Sequence, residues 1–358
     1  LMPTPALPSP LLERLRDLSA KLNRTVSIME VCGTHTMAIH RCGIRSLLPA
    51  NVRLISGPGC PVCVTSASDI DRMIGLSADN ERIITTFGDM IRVPGSSMSL
   101  QTARSRGARV RVVYSPMDAL KIAMENRSDE VVFLAVGFET TAPGIAAALI
   151  EAQRLDVENF CIASVLKQIP PALEALLSSP KTAIDGLLCP GHVSVIIGSR
   201  AYESVSRVFR LPCAIAGFAG EEILDGLVYL LEQIHTREIS VCNRYSAWVK
   251  PEGNTHALNL MRRVFEPCNT EWRGLGMIPN SGLALNPEFE RFDAFRRFAV
   301  PDCKVSEVSG CRCGDVLQGV IEPSECGLFG TACTPEDPVG PCMVSSEGAC
   351  AAAQKYQE

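Results

Sequence analysis

The chain has 358 residues, 46% of them apolar, and a formal charge of −5 with the signs mixed along its length. That length suits about two or three domains with a sizeable core, and the lack of a basic stripe argues against nucleic acid as a partner. No apolar run reaches the roughly 18 to 20 residues needed to span a bilayer, since the nearest, VVFLAVGFETTAPGIAAALI, is broken by Glu139 and Pro143.

The chain opens on a Pro-rich stub and then a charged amphipathic helix over about Pro10 to Leu22. A secretory signal would show a basic start and an unbroken apolar core instead, so a cytoplasmic protein is expected. Its 16 cysteines are then expected to be reduced thiols, metal ligands or cycling redox pairs rather than structural staples.

Short β-branched runs ending in Gly, Pro or small polar residues follow, each leading into a helical segment. The first set is TVSIMEVCGTH, VRLISGPGC, RIITTFGDM and RVRVVYSPMD; the second is EVVFLAVGFET, FCIASVLKQ, GLLCPGHV and PCAIAGFAG. This is the rhythm of βαβ units, and continuously apolar strands belong to parallel sheets buried on both faces. The spacing predicts two similar parallel-sheet α/β domains, 25–118 and 119–245, with SGPGC and CPGHV hinting at a duplication. From about residue 246 the rhythm stops. WVKPEGNTHALNLMRRVFEP and NPEFERFDAFRRF read as helices, and a loop-rich tail of Pro, Gly and Cys follows. A small Cys-rich third domain is expected from 246–358 together with residues 1–24, organised around metal.

In open parallel sheets, ligands bind beyond the carboxyl ends of the strands. Cys32 and His35, Cys60 and Cys63, Asp89, Glu139 with Thr140 and Thr141, Lys167 and His192 all fall there. If the first two strands are neighbours, Cys32, Cys60 and Cys63 converge with His35 near, a donor set suited to a soft transition metal. Asp89 reads equally as a helix N-cap, Glu139 and His192 as loop hydrogen-bonders. His40 and Cys42 read as packing residues, and Cys161, Cys189 and Cys213 as small buried hydrophobes. In the tail, Cys311, Cys313, Cys326, Cys333, Cys342 and Cys350 offer six thiols. Four can hold zinc or a [4Fe–4S] cluster; the wide gaps fit zinc knuckles poorly, which favours iron–sulfur, and two thiols are left for a redox pair. No Walker-type phosphate loop occurs.

Taken together, MEVCGTHT, IHRCGIRSLLPANVRLISGPGCPVCVT, TFGDMIRVPGS, GFETTAP, PGHVSVIIG and CRCGDVLQG with CGLFGTACTPEDPVGPCMVSSEGAC resemble the HypD family of [NiFe]-hydrogenase maturation proteins. The likeness runs from about residue 28 to the C-terminus; Met37, Cys42 and Ser66 are small departures that touch no proposed ligand. The resemblance implies two α/β domains plus an iron–sulfur domain, and a scaffold and redox protein on which Fe(II) acquires cyanide and carbon monoxide. The partners it implies are a HypC-type chaperone, HypE as cyanide donor with HypF upstream, and indirectly the hydrogenase large subunit. It makes Cys32 the leading iron-fragment ligand, with His35 nearby and Cys60 and Cys63 as the cleft dithiol. By likeness of the tail to ferredoxin:thioredoxin reductase, Cys311, Cys326, Cys333 and Cys350 are expected on the [4Fe–4S] cluster, and Cys313 with Cys342 as the adjacent redox pair. The competing expectations are an iron–sulfur-linked protein disulfide reductase and a zinc-stabilised two-lobed binding protein.

Overall fold

The structure, a computed structural model, describes residues 9–300 and 310–356. All eight predicted strands form: β1 (Val26–Glu30), β2 (Val52–Ser56), β3 (Arg82–Thr86), β4 (Arg109–Val112), β5 (Glu130–Ala135), β6 (Phe160–Ser164), β7 (Gly186–Cys189) and β8 (Cys213–Ile215). A ninth, β9 (Val241–Asn243), is three residues long, and β10 (Phe265–Trp272) with β11 (Gly276–Leu285) makes a hairpin where helix and loop were expected. Two parallel sheets result, one ordered β2-β1-β7-β8-β9 and the other β4-β3-β5-β6. Helices cover both faces, which is why central strands such as β5 read as unbroken apolar runs.

The predicted boundary at 118/119 is corrected by the strand pairing. β3 and β4 pair with β5 and β6, while β7 joins β1. The chain builds two strands of the first sheet, crosses to complete the whole second sheet, and returns for β7 to β9. SGPGC and CPGHV are therefore strand-end turns of one sheet, not equivalent turns of duplicated domains. Regular strand–helix spacing gives the number of βαβ units but carries no information on strand order. The interleaving places the CGTH, CPVC and PGHV turns on three adjacent strands, β1, β2 and β7.

Residues 246–356 do not form a separate unit with the N-terminal helix. Helix Ser9–Ala20 packs on helix Gly220–Thr236 of the first lobe, burying Leu15 and Leu18 in that lobe's core. Helix Thr255–Val264 packs on helix Ala142–Arg154 of the second. The hairpin joins the lobes: Arg273 N donates to Val64 O at 2.8 Å, and Gln168 N to Ser281 O at 2.8 Å. Its Trp272 is fully buried, stacks on Phe138 and donates to Ser281 Oγ at 2.8 Å. Lys167, also buried, is a rivet rather than a cleft residue: its Nζ donates to Glu271 O at 2.7 Å and Thr270 Oγ1 at 3.2 Å, with Asp69 at 3.7 Å. Burying an ammonium costs several kcal/mol, and these acceptors offset it. The tail lies on the first lobe, helix Ala349–Lys355 against helix Gly33–Arg41, and turn Pro341–Val344 against turn Pro61–Val64.

Candidate functional site

β1 and β2 run in step, Glu30 opposite Ser56, so the turns that follow leave the sheet side by side. β1 passes through an extended Cys32 into helix Gly33–Arg41; β2 passes through Gly57-Pro58-Gly59 into Cys60 and the short helix Pro61–Val64. Gly33 N donates to Gly59 O at 3.1 Å. A Cβ on Gly59 would stand 2.4 Å from Cys32 N, so only glycine lets the turns touch. A cavity of about 390 Å³ opens here, lined among others by Cys32, Thr34, Pro61, Thr140, His192 and Glu347. The residues come from both lobes and the tail, which makes this the inter-lobe cleft that the strand-end rule anticipates.

Cys32 is the N-cap of its helix, and the Thr34 and His35 N–H groups of the first turn lie near enough to its sulfur to lower the thiol, without a capping hydrogen bond to it. Those groups favour a thiolate. Burial outweighs them and, with the nearby Glu347 carboxylate, pushes the Cys32 thiol up to about 12. A metal ion arriving in the cleft would displace that proton. Glu347 was not singled out from the sequence. It reaches in from the tail, its Oε1 accepting from Thr34 Oγ1 at 2.7 Å, and a lone carboxylate between serine and glycine gives no pattern to detect.

The other sulfurs point elsewhere. Cys60 Sγ accepts from Cys63 N at 3.3 Å, and its thiol hydrogen-bonds the Cys63 thiol. Cys63 is fully buried and faces the tail, its Sγ 4.0 Å from Pro341 O and close to Cys350. His35 is also fully buried: its Nε2 bonds to Gly217 O at 2.8 Å, its ring lies against Phe218, and burial lowers it to about 4. Among the described residues, no three His, Cys, Asp or Glu side chains stand close enough to share one metal ion. The expected convergence of Cys32, Cys60, Cys63 and His35 on a single ion is thereby corrected. Neighbouring strands bring the turns together, but each helix start then turns its side chains to a different face. Cys32 opens to the cleft, whereas Cys60 and Cys63 form a buried dithiol between cleft and tail.

His192 lines the cleft and stacks on Phe218 at 4.0 Å. Thr140 and Thr141 line its opposite wall. Glu139 lies behind them, buried, with Oε1 accepting from Ile169 N at 2.8 Å and Oε2 without a hydrogen-bond partner; burial raises it to about 7. Asp89 lies within the one-turn helix Gly88–Met90 rather than at its cap, near enough to Glu347 to feel its charge. Cys161, Cys189 and Cys213 are fully buried in strands.

In the tail, Cys313 and Cys342 are joined as a disulfide with Cα atoms 6.4 Å apart. Cys311, Cys326, Cys333 and Cys350 line one small cavity with that pair, walled by Val316, Leu328, Phe329 and Met343. Mutual proximity of these thiols raises Cys350, after burial, to about 12. Val339 N donates to Cys333 Sγ at 3.3 Å, and Cys313 N to Cys311. Four thiols lining an apolar-walled cavity, two of them already met by backbone donors, fit a thiolate-held cluster. A cubane spreads its four ligands over four irons, whereas zinc takes all four on one ion. Cys303 lies outside the described residues.

No helix among the described residues is long and apolar enough to cross a membrane. A family model described as "HypD: Hydrogenase formation hypA family" matches residues 7–357. The chain is 45% identical over 349 residues to the hydrogenase maturation factor HypD of Escherichia coli, covering 97% of this chain and 93% of that one. It is 44% identical to HypD of Cupriavidus necator over 94% of this chain and 91% of that one. A putative hydrogenase expression/formation protein of Methanocaldococcus jannaschii is 42% identical, with 97% and 96% covered. With a family match across nearly its whole length and relatives of this similarity, the chain belongs to the HypD family of hydrogenase maturation factors.

Proposed function

We propose that this protein is the scaffold on which, with a HypC-type chaperone, the Fe(CN)2CO moiety of the [NiFe]-hydrogenase site is assembled, with cyanide delivered by HypE. The observation that carries this reading is the inter-lobe cleft in which Cys32, at a helix start, alone presents sulfur, with a buried dithiol and a disulfide leading from it to the tail. In this reading the iron is cargo, and Cys32 is its protein ligand. A thiolate donates strongly to an iron(II) already carrying π-accepting diatomic ligands.

Cyanide leaves a carrier thiocyanate at the cost of two electrons: R–S–C≡N plus two thiols gives R–SH, HCN and a disulfide. Cys60 and Cys63 hold the electron pair and the two protons for this step, their thiols already in contact. Cys63 in turn neighbours Pro341 and hence Cys342, so thiol–disulfide exchange between the pairs needs only a short approach. Cys311, Cys326, Cys333 and Cys350 would hold a [4Fe–4S] cluster, which would supply single electrons beside that disulfide. Glu139, raised to about 7, is a proton store behind the cleft wall.

Infrared spectroscopy of the anaerobically purified complex with the chaperone tests the scaffold. Cys32→Ala is expected to abolish the bands of iron-bound cyanide and carbon monoxide; bands at full strength in that variant would remove Cys32 as the ligand. A second reading, a disulfide reductase acting on a protein partner, draws on the Cys313–Cys342 bond. It requires thiol-exchange activity with no iron beyond the cluster, which anaerobic iron and sulfide analysis decides.

A further inference from the structure

A second opening lies on the outer side of the tail thiols. It is a groove of about 290 Å³ whose lining includes Cys311, Cys313 and Gly340, with Lys181, Arg273 and Arg312 around it. The three cations come from separate segments: the loop before β7, the turn of the hairpin, and the Cys-Arg-Cys motif. Asp315, the one carboxylate of the lining, is paired with Arg312 at 2.8 Å. On a chain of net charge −5, this is a local surplus of positive charge. Arg273 donates from Nε to Thr65 O at 3.1 Å and is close enough to Cys311 to favour its thiolate.

The wall between groove and sulfur is thin. A Cβ at Gly340 would stand 2.7 Å from Cys311 Sγ, and Gly274 faces Gly314 so closely that a Cβ on it would lie 2.5 Å from the Gly314 Cα. Cys311, partly exposed, and Cys313 therefore meet the groove between glycine backbones, with no side chain from Gly340, Gly274 or Gly314 to cover them. The disulfide spans the two sides: Cys313 lines the groove, whereas Cys342 lies inside, next to the contact of Cys63 with Pro341. The cleft is reached from one direction and the disulfide from another.

We propose that this basic groove is the docking site for an acidic one-electron carrier protein that reduces the Cys313–Cys342 disulfide. A protein rather than a small anion is favoured because the cations stand on three segments around an open groove, not within one closed pocket. The step consumes two reduced carriers, each oxidised by one electron. The sulfur–sulfur bond breaks, two protons come from water, and two thiols result. The inference rests on the redox role given to this pair above.

The test uses the full chain, loaded anaerobically, with a pre-reduced small acidic [2Fe–2S] ferredoxin as probe and mass-spectrometric labelling of the Cys313 and Cys342 thiols as readout. Electrostatic steering raises association rates by about 10- to 1,000-fold and falls steeply with salt. Lys181→Glu with Arg312→Glu is therefore expected to slow ferredoxin-driven thiol appearance at low salt by about tenfold or more. Raising salt to about 0.5 M is expected to slow the unaltered protein similarly, and Lys121→Glu on a distant helix is expected to change nothing. Dithiothreitol is expected to open the disulfide equally in all of them, which also shows that the variants are folded. An unchanged ferredoxin rate in the double variant, or a rate indifferent to salt, overturns the groove while leaving the redox pair standing. A disulfide that dithiothreitol opens but ferredoxin reduces in no variant overturns the groove too. A disulfide that no reductant opens overturns the redox pair and the groove with it.

Discussion

The mouth of the first lobe and the thiol cavity of the tail both gather cysteines, and they hold them by opposite means. Around Cys32 every constraint comes from the fold: parallel strands in register, turns packed backbone to backbone, a helix start that brings N–H groups near the sulfur. Around Cys311, Cys326, Cys333 and Cys350 the regular elements are single turns or short helices, and much of the backbone bonding is local to loops. The strand-end side of the cleft is thus held by the sheet, while the tail adds Glu347 to its wall. If the tail sulfurs hold a cluster as proposed, the tail cavity is expected to depend on it, as small thiolate sites do when binding free energy is folding free energy.

The largest expected effect follows from that contrast. Replacing Cys326 and Cys333 together with serine is expected to abolish the visible absorption of the cluster and to speed amide hydrogen exchange throughout 310–356. The amides of β5 and β6 are expected to keep their protection, because one face of these strands, Val131, Phe133, Ala135, Phe160 and Ile162, is buried in a core to which the tail contributes nothing. Loss of protection in the sheets as well would show that the tail holds the fold and not only its own loops.

The cleft should break by the opposite means, through sterics with no thiol altered. Gly59→Ala forces a methyl carbon to 2.4 Å from Cys32 N, and such overpacking typically costs about 1–3 kcal/mol. The backbone of Cys32 must move, so its thiol is expected to shift from its place at the helix start. The checks are a lower urea midpoint and weaker infrared bands of the cargo, with the cluster absorption unchanged. A variant with normal stability and normal bands would mean that the two turns are not packed as described.

Sequence reading was strongest where the fold does the holding. The inner strands were legible because burial on both faces selects apolar runs, even in the three-residue β8, and the ligand-facing ends select Gly, Pro and small polar residues. β9, equally short but a half-buried edge strand, leaves no such run. β10 and β11 were hidden by Pro267 and Pro279, residues that speak against strands and are accommodated here in a two-stranded hairpin with a register shift between Cys268 and Thr270. The site was legible as a set of strand ends, but not as geometry: nothing in CGTH or CPVC tells which way a side chain leaves a helix start, so His35 and Cys63 were placed in the cleft when they are buried beside it. In the tail, the sulfur pairing came from likeness to another family, since six thiols in loops admit many arrangements.

The smallest expected effect separates two buried groups near the cleft by their pH dependence. Glu139 is raised from the ordinary carboxyl value of 4.5 to about 7 because burial penalises its charged form. The unfolded carboxyl loses its proton first, so this group makes stability fall as pH rises from about 4.5 through about 7. His35 is lowered from 6.5 to about 4, again chiefly by burial. The unfolded imidazole takes up its proton first as pH falls, so this group makes stability rise between about pH 4 and 6.5. The two oppose one another over nearly the same window. In Glu139→Gln the Glu139 limb is gone and the rising limb of His35 is no longer opposed by it. His40, which burial also lowers to about 4, and Glu30, Asp89 and Asp293, all raised by burial, are common to the two proteins and cancel in the difference. Urea midpoints at constant m value are therefore expected to climb more steeply with pH in Glu139→Gln than in the unaltered protein, by up to about 1.4 kcal/mol per pH unit. Parallel profiles from pH 4 to 7 would show that the Glu139 carboxyl is solvated, and would remove it as a proton store behind the cleft wall.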